Sequence, residues 1–245
     1  MQVFGLVIIG VLIGTFVIAM GGGGGAFYLG VLTALFGLSP VTAAATSLVT
    51  ALPSIYVGVI GYWRHHRINF KIGNQMLFAA IPGVILGLLL SPWIPEKIYT
   101  WIIALLLIYF GVKMLMRRGQ QRSLQHPQIA ALSYGLLGGL MVGISGSSGG
   151  GPIIAGLLLM GESLFDATAT SSYVLAGMCS LGALVHAASG MVDWSLGVPL
   201  MIGAVIGGLF APTIVEYLDR YPISEQILRV VLALMLIFFG LKSLF

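Results

Sequence analysis

Long apolar runs separated by short polar clusters dominate the chain. A helix that crosses a membrane needs about 20 mostly apolar residues. Runs of that kind lie near 3–20, 40–62, 72–91, 97–116, 129–146, 165–188, 195–214 and 224–243. The pattern therefore predicts an all-α polytopic membrane protein with about eight transmembrane helices. Two apolar pieces are left over, AFYLGVLTALF at 26–36 and PIIAGLLLM at 152–160. Each is short for a crossing and reads as a re-entrant or broken helix, with full crossing left open. The N-terminal MQVFGLVIIGVLIGTFVIAM has no basic region and no A-x-A site, so it reads as a retained first helix rather than a cleaved signal peptide.

Each short piece follows a glycine run, MGGGGGA at 20–26 and GISGSSGGGP at 143–152. Glycine is a poor helix former. Irregular backbone survives in hydrocarbon only where protein buries it or a watery cavity touches it. The N-terminus of a half-helix offers free N–H groups and the positive end of a dipole, which suits an anion. Glycine lets a ligand approach the backbone closely. Candidate substrate-binding groups are therefore Gly22, Gly23, Gly24 and Gly25 in the first run. In the second they are Ser145, Gly146, Ser147, Ser148, Gly149, Gly150, Gly151 and Pro152, with the proline placed to restart a helix. The competing reading is close helix packing through small residues. Five glycines in a row fit it less well, because packing uses spaced small residues on a continuous helix.

The two runs belong to an internal repeat. Under a shift of 124 residues, Gly22 falls on Gly146, Gly25 on Gly149, Gly37 on Gly161 and Ser39 on Ser163. Ala43, Ala45, Thr46 and Ser47 fall on Ala167, Ala169, Thr170 and Ser171, and IALLLIYFGVKML (103–115) is similar to LALMLIFFGLKSL (232–244). The expected organisation is a first repeat at 1–118, a basic cytoplasmic linker at 119–128 and a second repeat at 129–245. Four spans per half make the two repeats parallel, related by an axis along the membrane normal. Ser39-Pro40 predicts an N-cap with proline at the first helical position. Ser163 with Asp166 has capping-box spacing. Thr46, Ser47, Thr170 and Ser171 then lie about two turns into their helices. They are candidate substrate hydroxyls, unless they bond back to their own carbonyls.

Composition sharpens the class. The chain is 58% hydrophobic and 7% charged, with mean hydropathy +1.06, against about 25% charged residues in soluble domains. The net charge of +4 belongs to loops and sets orientation rather than pointing to nucleic acid. Arg64, His65, His66, Arg67 and Lys71 form one basic loop; Lys113, Arg117, Arg118 and Arg122 form another. With eight crossings both are cytoplasmic, Glu96, Lys97, Glu216, Asp219, Arg220 and Glu225 face the other side, and both termini are cytoplasmic. If the two short pieces crossed fully, the N-terminus would lie outside. Cys179 is the only cysteine, so no disulfide forms within one chain.

His186, in GALVHAASG, is an ionisable residue within a span, read either as a functional group or as a hydrogen-bonded structural histidine. No acidic residue sits at mid-membrane, and the sequence has no zinc motif, P-loop or dinucleotide unit, so no cofactor is expected. Gly143-Ile144-Ser145-Gly146 with His186 also allows an intramembrane serine protease, with the histidine as general base. The serine belongs to a repeated motif, whereas a catalytic dyad needs no second copy.

MGGGGGAFYLG with AAATSL (43–48), and GISGSSGGGPII with ATATSS (167–172), resemble the sulfite exporter TauE/SafE family of bacterial membrane proteins across essentially the whole chain. The first motif departs from the second in having Tyr28 where the second has Pro152. The resemblance implies a secondary transporter, not an enzyme, in the bacterial cytoplasmic (inner) membrane. It implies a small anionic substrate such as sulfite, a sulfonate or a related sulfur compound. A passive anion channel is the alternative within transport. The expected partners are that anion and the lipid bilayer, without nucleic acid, and with a homo-oligomer left open.

Overall fold

The computed structural model describes residues 2–21, 25–90, 93, 101, 104–105, 108–109, 111–112, 115–116, 127–145, 149–188 and 190–244. Among them regular structure is helical throughout, with no strand. The elements are α1 (Gln2–Ala19), α2 (Gly25–Ala34), α3 (Pro40–Arg64), α4 (Phe70–Leu90), α5 (Pro127–Ser145), α6 (Gly150–Leu159), α7 (Leu164–Ala188), α8 (Trp194–Asp219) and α9 (Pro222–Leu244). Among the described residues four helices are long and apolar enough to cross a membrane: Val41–Arg64, Phe70–Leu90, Leu164–Val185 and Trp194–Asp219. Of the other four expected spans, 3–20 and 129–146 are the shorter apolar helices α1 and α5, and 224–243 lies in α9. In 97–116 the described residues are helical apart from their gaps.

The caps read from the sequence are formed. The Thr42 N–H donates to Ser39 Oγ at 3.3 Å and Pro40 opens α3. The Asp166 N–H donates to Ser163 Oγ at 3.1 Å, and that hydroxyl pairs with the Asp166 carboxylate at 2.7 Å. At the far end of α3, His66 takes a left-handed conformation (φ 55) and the chain turns at once into α4.

Helices from the two parts of the chain interlock. α1 packs chiefly on α8, and α4 on α5. Spaced glycines make both contacts close enough for backbones to touch. A Cβ on Gly14 would stand 2.6 Å from the Ala204 carbonyl oxygen, and one on Gly10 would strike that of Leu200. On the other pair, a Cβ on Gly135 would strike the Met76 carbonyl oxygen, one on Gly139 that of Ala80, and one on Gly143 that of Val84. Leu200 and Ala204 stand 124 positions after Met76 and Ala80. The two contacts are thus the same contact made twice, each joining the first helix of one half to a later helix of the other.

The contact order also gives directions. On both pairs the numbers rise together, so α1 runs parallel to α8 and α4 parallel to α5. α3 and α7 run antiparallel: Arg67, just past the end of α3, meets Asp166 near the start of α7, and Leu48, near the start of α3, meets Gly182 near the end of α7. Parallel repeats would have run α3 and α7 the same way, so the expected same-side arrangement of the halves is not what the helices adopt. The reason lies in the short pieces. α2 and α6 have 10 residues each, about 15 Å of helix against about 30 Å of hydrocarbon. α6 turns back along α5, with Gly149 against Gly138 and Gly156 against Tyr134. A piece that turns back in this way brings the chain into α7 from the end opposite to a full crossing.

The ion pairs carry a second correction. His65 Nδ1 lies 2.8 Å from the Glu216 carboxylate, and Arg67 pairs with Asp219. Glu216 and Asp219 therefore share one end of the bundle with the basic loop, not the opposite end. Because α1 is parallel to α8, Gln2 lies at the far end from that loop, where the eight-crossing count had placed the N-terminus beside it.

Candidate functional site

Gly21 and Gly149, which edge the two glycine runs, both sit against α7. Gly21 ends the first described stretch in a left-handed conformation (φ 62). Side chains from elsewhere bond carbonyls at the end of α1. The Tyr62 hydroxyl donates to Ile18 O at 2.8 Å, and the Ser171 hydroxyl to Gly21 O at 2.7 Å. A Cβ on Gly21 would lie 2.7 Å from Ile154 Cδ1 and 2.7 Å from Thr168 Cα. Gly21, at the edge of the first glycine run, is thus buried against α6 and α7, as irregular backbone in a membrane must be.

At the second break Gly149 is left-handed as well (φ 54) and caps α6 without a side-chain bond. A Cβ there would strike the Gly138 carbonyl oxygen and lie 3.1 Å from Met178 Cε. Thr168 and Met178 are 10 positions apart on α7, about 15 Å along the helix. Gly21 and Gly149, the described edges of the two glycine runs, therefore meet α7 through residues at different levels of that helix.

Of the candidate hydroxyls, Thr46 and Thr170 hold loops in a reciprocal pair. The Asp193 N–H donates to Thr46 Oγ1 at 2.9 Å, and the Asn69 N–H donates to Thr170 Oγ1 at 2.9 Å. Asn69 and Asp193 stand 124 positions apart, as do Thr46 and Thr170. Ser47 bonds back to Ala44 O at 2.8 Å, the local alternative weighed from the sequence. Gly25, Gly150 and Pro152 are buried and Gly151 is half-buried. Gly22, Gly23, Gly24, Gly146, Ser147 and Ser148 lie outside the described residues, as do the side chains of Ser145 and His186.

Sequence reading passed over two buried hydroxyls. Tyr28, one turn into α2, and Thr168, beside Gly21, are both fully buried. Neither Tyr28 Oη nor Thr168 Oγ1 has a hydrogen-bond partner among the described residues. The available signal was a mismatch between the repeats. Tyr28 stands where the second half has Pro152, and Thr168 where the first half has Ala44.

Charge gathers at one end of the bundle. Arg67 bridges Asp166 at 3.4 Å and Asp219, tying the α3–α4 loop to the start of α7 and the end of α8. Partial burial opposes the charge of Arg67, but the hydrogen bonds and charges of Asp219 and Asp166 outweigh it and raise the guanidinium above its ordinary value. The Asn69 side chain donates to Glu162 at 2.8 Å in the same cluster. At the other end the α7–α8 loop carries Asp193, which caps α8 by accepting from the N–H groups of Ser195 (3.0 Å) and Leu196 (3.2 Å). The Ser195 hydroxyl, then those backbone groups, hold its carboxyl below the usual carboxylate range.

Known proteins share this sequence along its length. The chain is similar to the "Probable membrane transporter protein YjnA" of Bacillus subtilis, 24% identical over 97% of this chain and 98% of that protein. It is likewise similar to the "Probable membrane transporter protein YdhB" of the same organism, 24% identical over 91% and 94%. A likeness to undecaprenyl-diphosphatase 1 of Oenococcus oeni, 24% identical, covers 71% of each chain. The family described as sulfite exporter TauE/SafE matches residues 6–243, and the chain belongs to that family of integral membrane transporters.

Proposed function

We propose that this protein is a secondary transporter of a small anion, a sulfur oxyanion such as sulfite or a sulfonate, and not an enzyme. The observation that carries the proposal is the reciprocal pair Asp193 to Thr46 and Asn69 to Thr170, set in helices that run in opposite directions. It supports two inverted repeats, an architecture in which transporters bind substrate between the repeats at broken helices. The glycine breaks beside α7 supply such ends. Alternating access then follows from one hairpin-bearing unit rocking against the other. α1 and α4 each pack on a helix of the opposite half, so each rocking unit draws helices from both. With the basic loop Arg64–Lys71 on the cytoplasmic side, Glu216 and Asp219 are cytoplasmic too and the N-terminus lies outside.

The test is efflux from proteoliposomes loaded with sulfite, sulfate, a taurine-like sulfonate or chloride, with and without a proton gradient. The reading requires at least one sulfur oxyanion to leave faster than from protein-free vesicles and with saturation. Efflux of none of them above that background refutes it.

A further inference from the structure

We propose that Arg67 and Asp166 form a charged latch between two rocking units, which holds the resting protein shut at the end of the bundle that carries the basic loop. The latch rests on the transport reading above and names the contact that must break each time this end opens.

Apart from α9, packing divides the described helices into two groups. α1, α2 and α3 pack together with α8, and α4, α5 and α6 pack together with α7. α3 and α7 make most of the contact between the groups. The α3–α4 loop carries the chain from the first group to the second. Arg67 still belongs to the first: its N–H donates to Tyr62 O at 3.1 Å, and its guanidinium pairs with Asp219 at the end of α8. Two residues later the chain belongs to the second. The Asn69 N–H donates to Thr170 on α7, and the Asn69 side chain donates to Glu162 just before α7. The pair of Arg67 with Asp166, at 3.4 Å, therefore joins one group to the other. Asp166 is held ready for it: one carboxylate oxygen pairs with the Ser163 hydroxyl at 2.7 Å, and the other faces the guanidinium. The neighbouring pair of His65 with Glu216 ties the end of α3 to α8 and stays within the first group.

The latch also has leverage. α3 and α7 meet midway through the hydroxyls of Tyr56 and Ser180, a position and its own repeat copy. Asp166 precedes Ser180 by 14 residues on α7, about 21 Å along the helix. Rocking about the midpoint parts the ends of the two helices far more than their middles, so a bond at the end resists opening most.

The latch is one-sided. Its repeat equivalents, Met191 for Arg67 and Thr42 for Asp166, carry no charge. The loop hydrogen bonds, by contrast, are matched at the two ends, Asn69 to Thr170 and Asp193 to Thr46. Bonds present at both ends favour neither; an ion pair at one end favours closure there. The two side chains are 30% and 36% exposed. A pair this exposed changes a population ratio by at most about fivefold. That is enough to bias the resting state and weak enough to break in every cycle. With the basic loop on the cytoplasmic side, the protein at rest is shut toward the cytoplasm.

The experiment uses the full chain in detergent, in a Cys179→Ala background. Leu48→Cys and Ser172→Cys serve as reporters. Both residues are buried, they are repeat equivalents, and they lie on opposite sides of the Tyr56–Ser180 level, with Ser172 nearer the latch. Asp166→Asn removes the charge and keeps an acceptor for Ser163. It should raise the rate of maleimide labelling at position 172 by up to about fivefold and lower the rate at position 48. Arg67→Gln should do the same. Glu216→Gln breaks an ion pair at the same end but inside one group, and should leave both rates at wild type. Wild-type rates at both reporters in Asp166→Asn overturn the latch. So does a rise at both reporters, as simple loosening of the fold would give, or an equal shift in Glu216→Gln. Labelling needs no substrate, so opposite shifts at the two reporters without anion efflux from proteoliposomes leave the latch standing and refute the transport reading alone.

Discussion

The hydroxyls of Tyr56 and Ser180 lie 2.7 Å apart, and the two residues are separated by 124 positions, the offset of the internal repeat. A position can touch its own copy only where the axis relating the copies passes between them. Ser180 already donates to Ala176 O at 2.5 Å, so Tyr56 supplies the proton. Tyr56→Phe and Ser180→Ala should each destabilise the fold by ~0.6 kcal/mol, the usual size of such a bond between membrane helices. The double variant should lose no more than the worse single one. Unfolding by denaturing detergent measures this, and fully additive losses would show that the two hydroxyls do not interact.

Close backbone contact between α1 and α8 and between α4 and α5 makes certain glycines irreplaceable. Gly14→Ala and Gly139→Ala should each cost about 1–3 kcal/mol, because the added methyl meets the carbonyl of Ala204 or Ala80 and neither backbone can withdraw. Gly30→Ala in α2 meets nothing within 4 Å. It should be neutral or stabilising by up to ~1 kcal/mol. Equal melting temperatures for all three variants would contradict the packing described.

Arg67 is shared between Asp166 and Asp219, and its side chain is 30% exposed. Such a half-solvated pair contributes only about 1 kcal/mol. Arg67→Gln should therefore lower the melting temperature modestly. The exchange Arg67→Asp with Asp219→Arg should recover part of that loss, whereas Arg67→Asp alone should be the worst of the set. No recovery on exchange would mean the pair does not form in the membrane.

The ion pairs also predict sidedness. In a Cys179→Ala background, His66→Cys and Arg220→Cys should react with an impermeant maleimide from the same face of the membrane, and Met191→Cys from the other. Labelling of positions 66 and 220 from opposite faces would restore the eight-crossing topology and remove the basis for inverted repeats.

Local chemistry was easy to read and global direction was not. Ser39, Ser163 and Asp166 announced their helices because a cap is decided by a few neighbouring residues. The repeat was visible because the glycine turns and the Ala-x-Ala-Thr-Ser helices both need particular residues. The direction of the second half turned on whether 26–36 and 152–160 cross, and hydropathy alone does not count an 11-residue run as zero crossings or one. An error there moves every later loop, which is how Glu216 and Asp219 were placed across the membrane from Arg67. The site was half legible. Glycine marked the breaks, but Thr46 and Thr170 turned out to hold loop N–H groups. Tyr28 and Thr168 carried no motif at all, only a difference between two copies.

The most direct test of the account is counterflow in proteoliposomes. Vesicles are loaded with unlabelled sulfite, diluted, and given labelled sulfite outside. A transporter that alternates between two faces should accumulate label transiently above the outside concentration. Label that only equilibrates, at a rate proportional to concentration and indifferent to sulfite inside, would contradict alternating access and mark the protein as a channel.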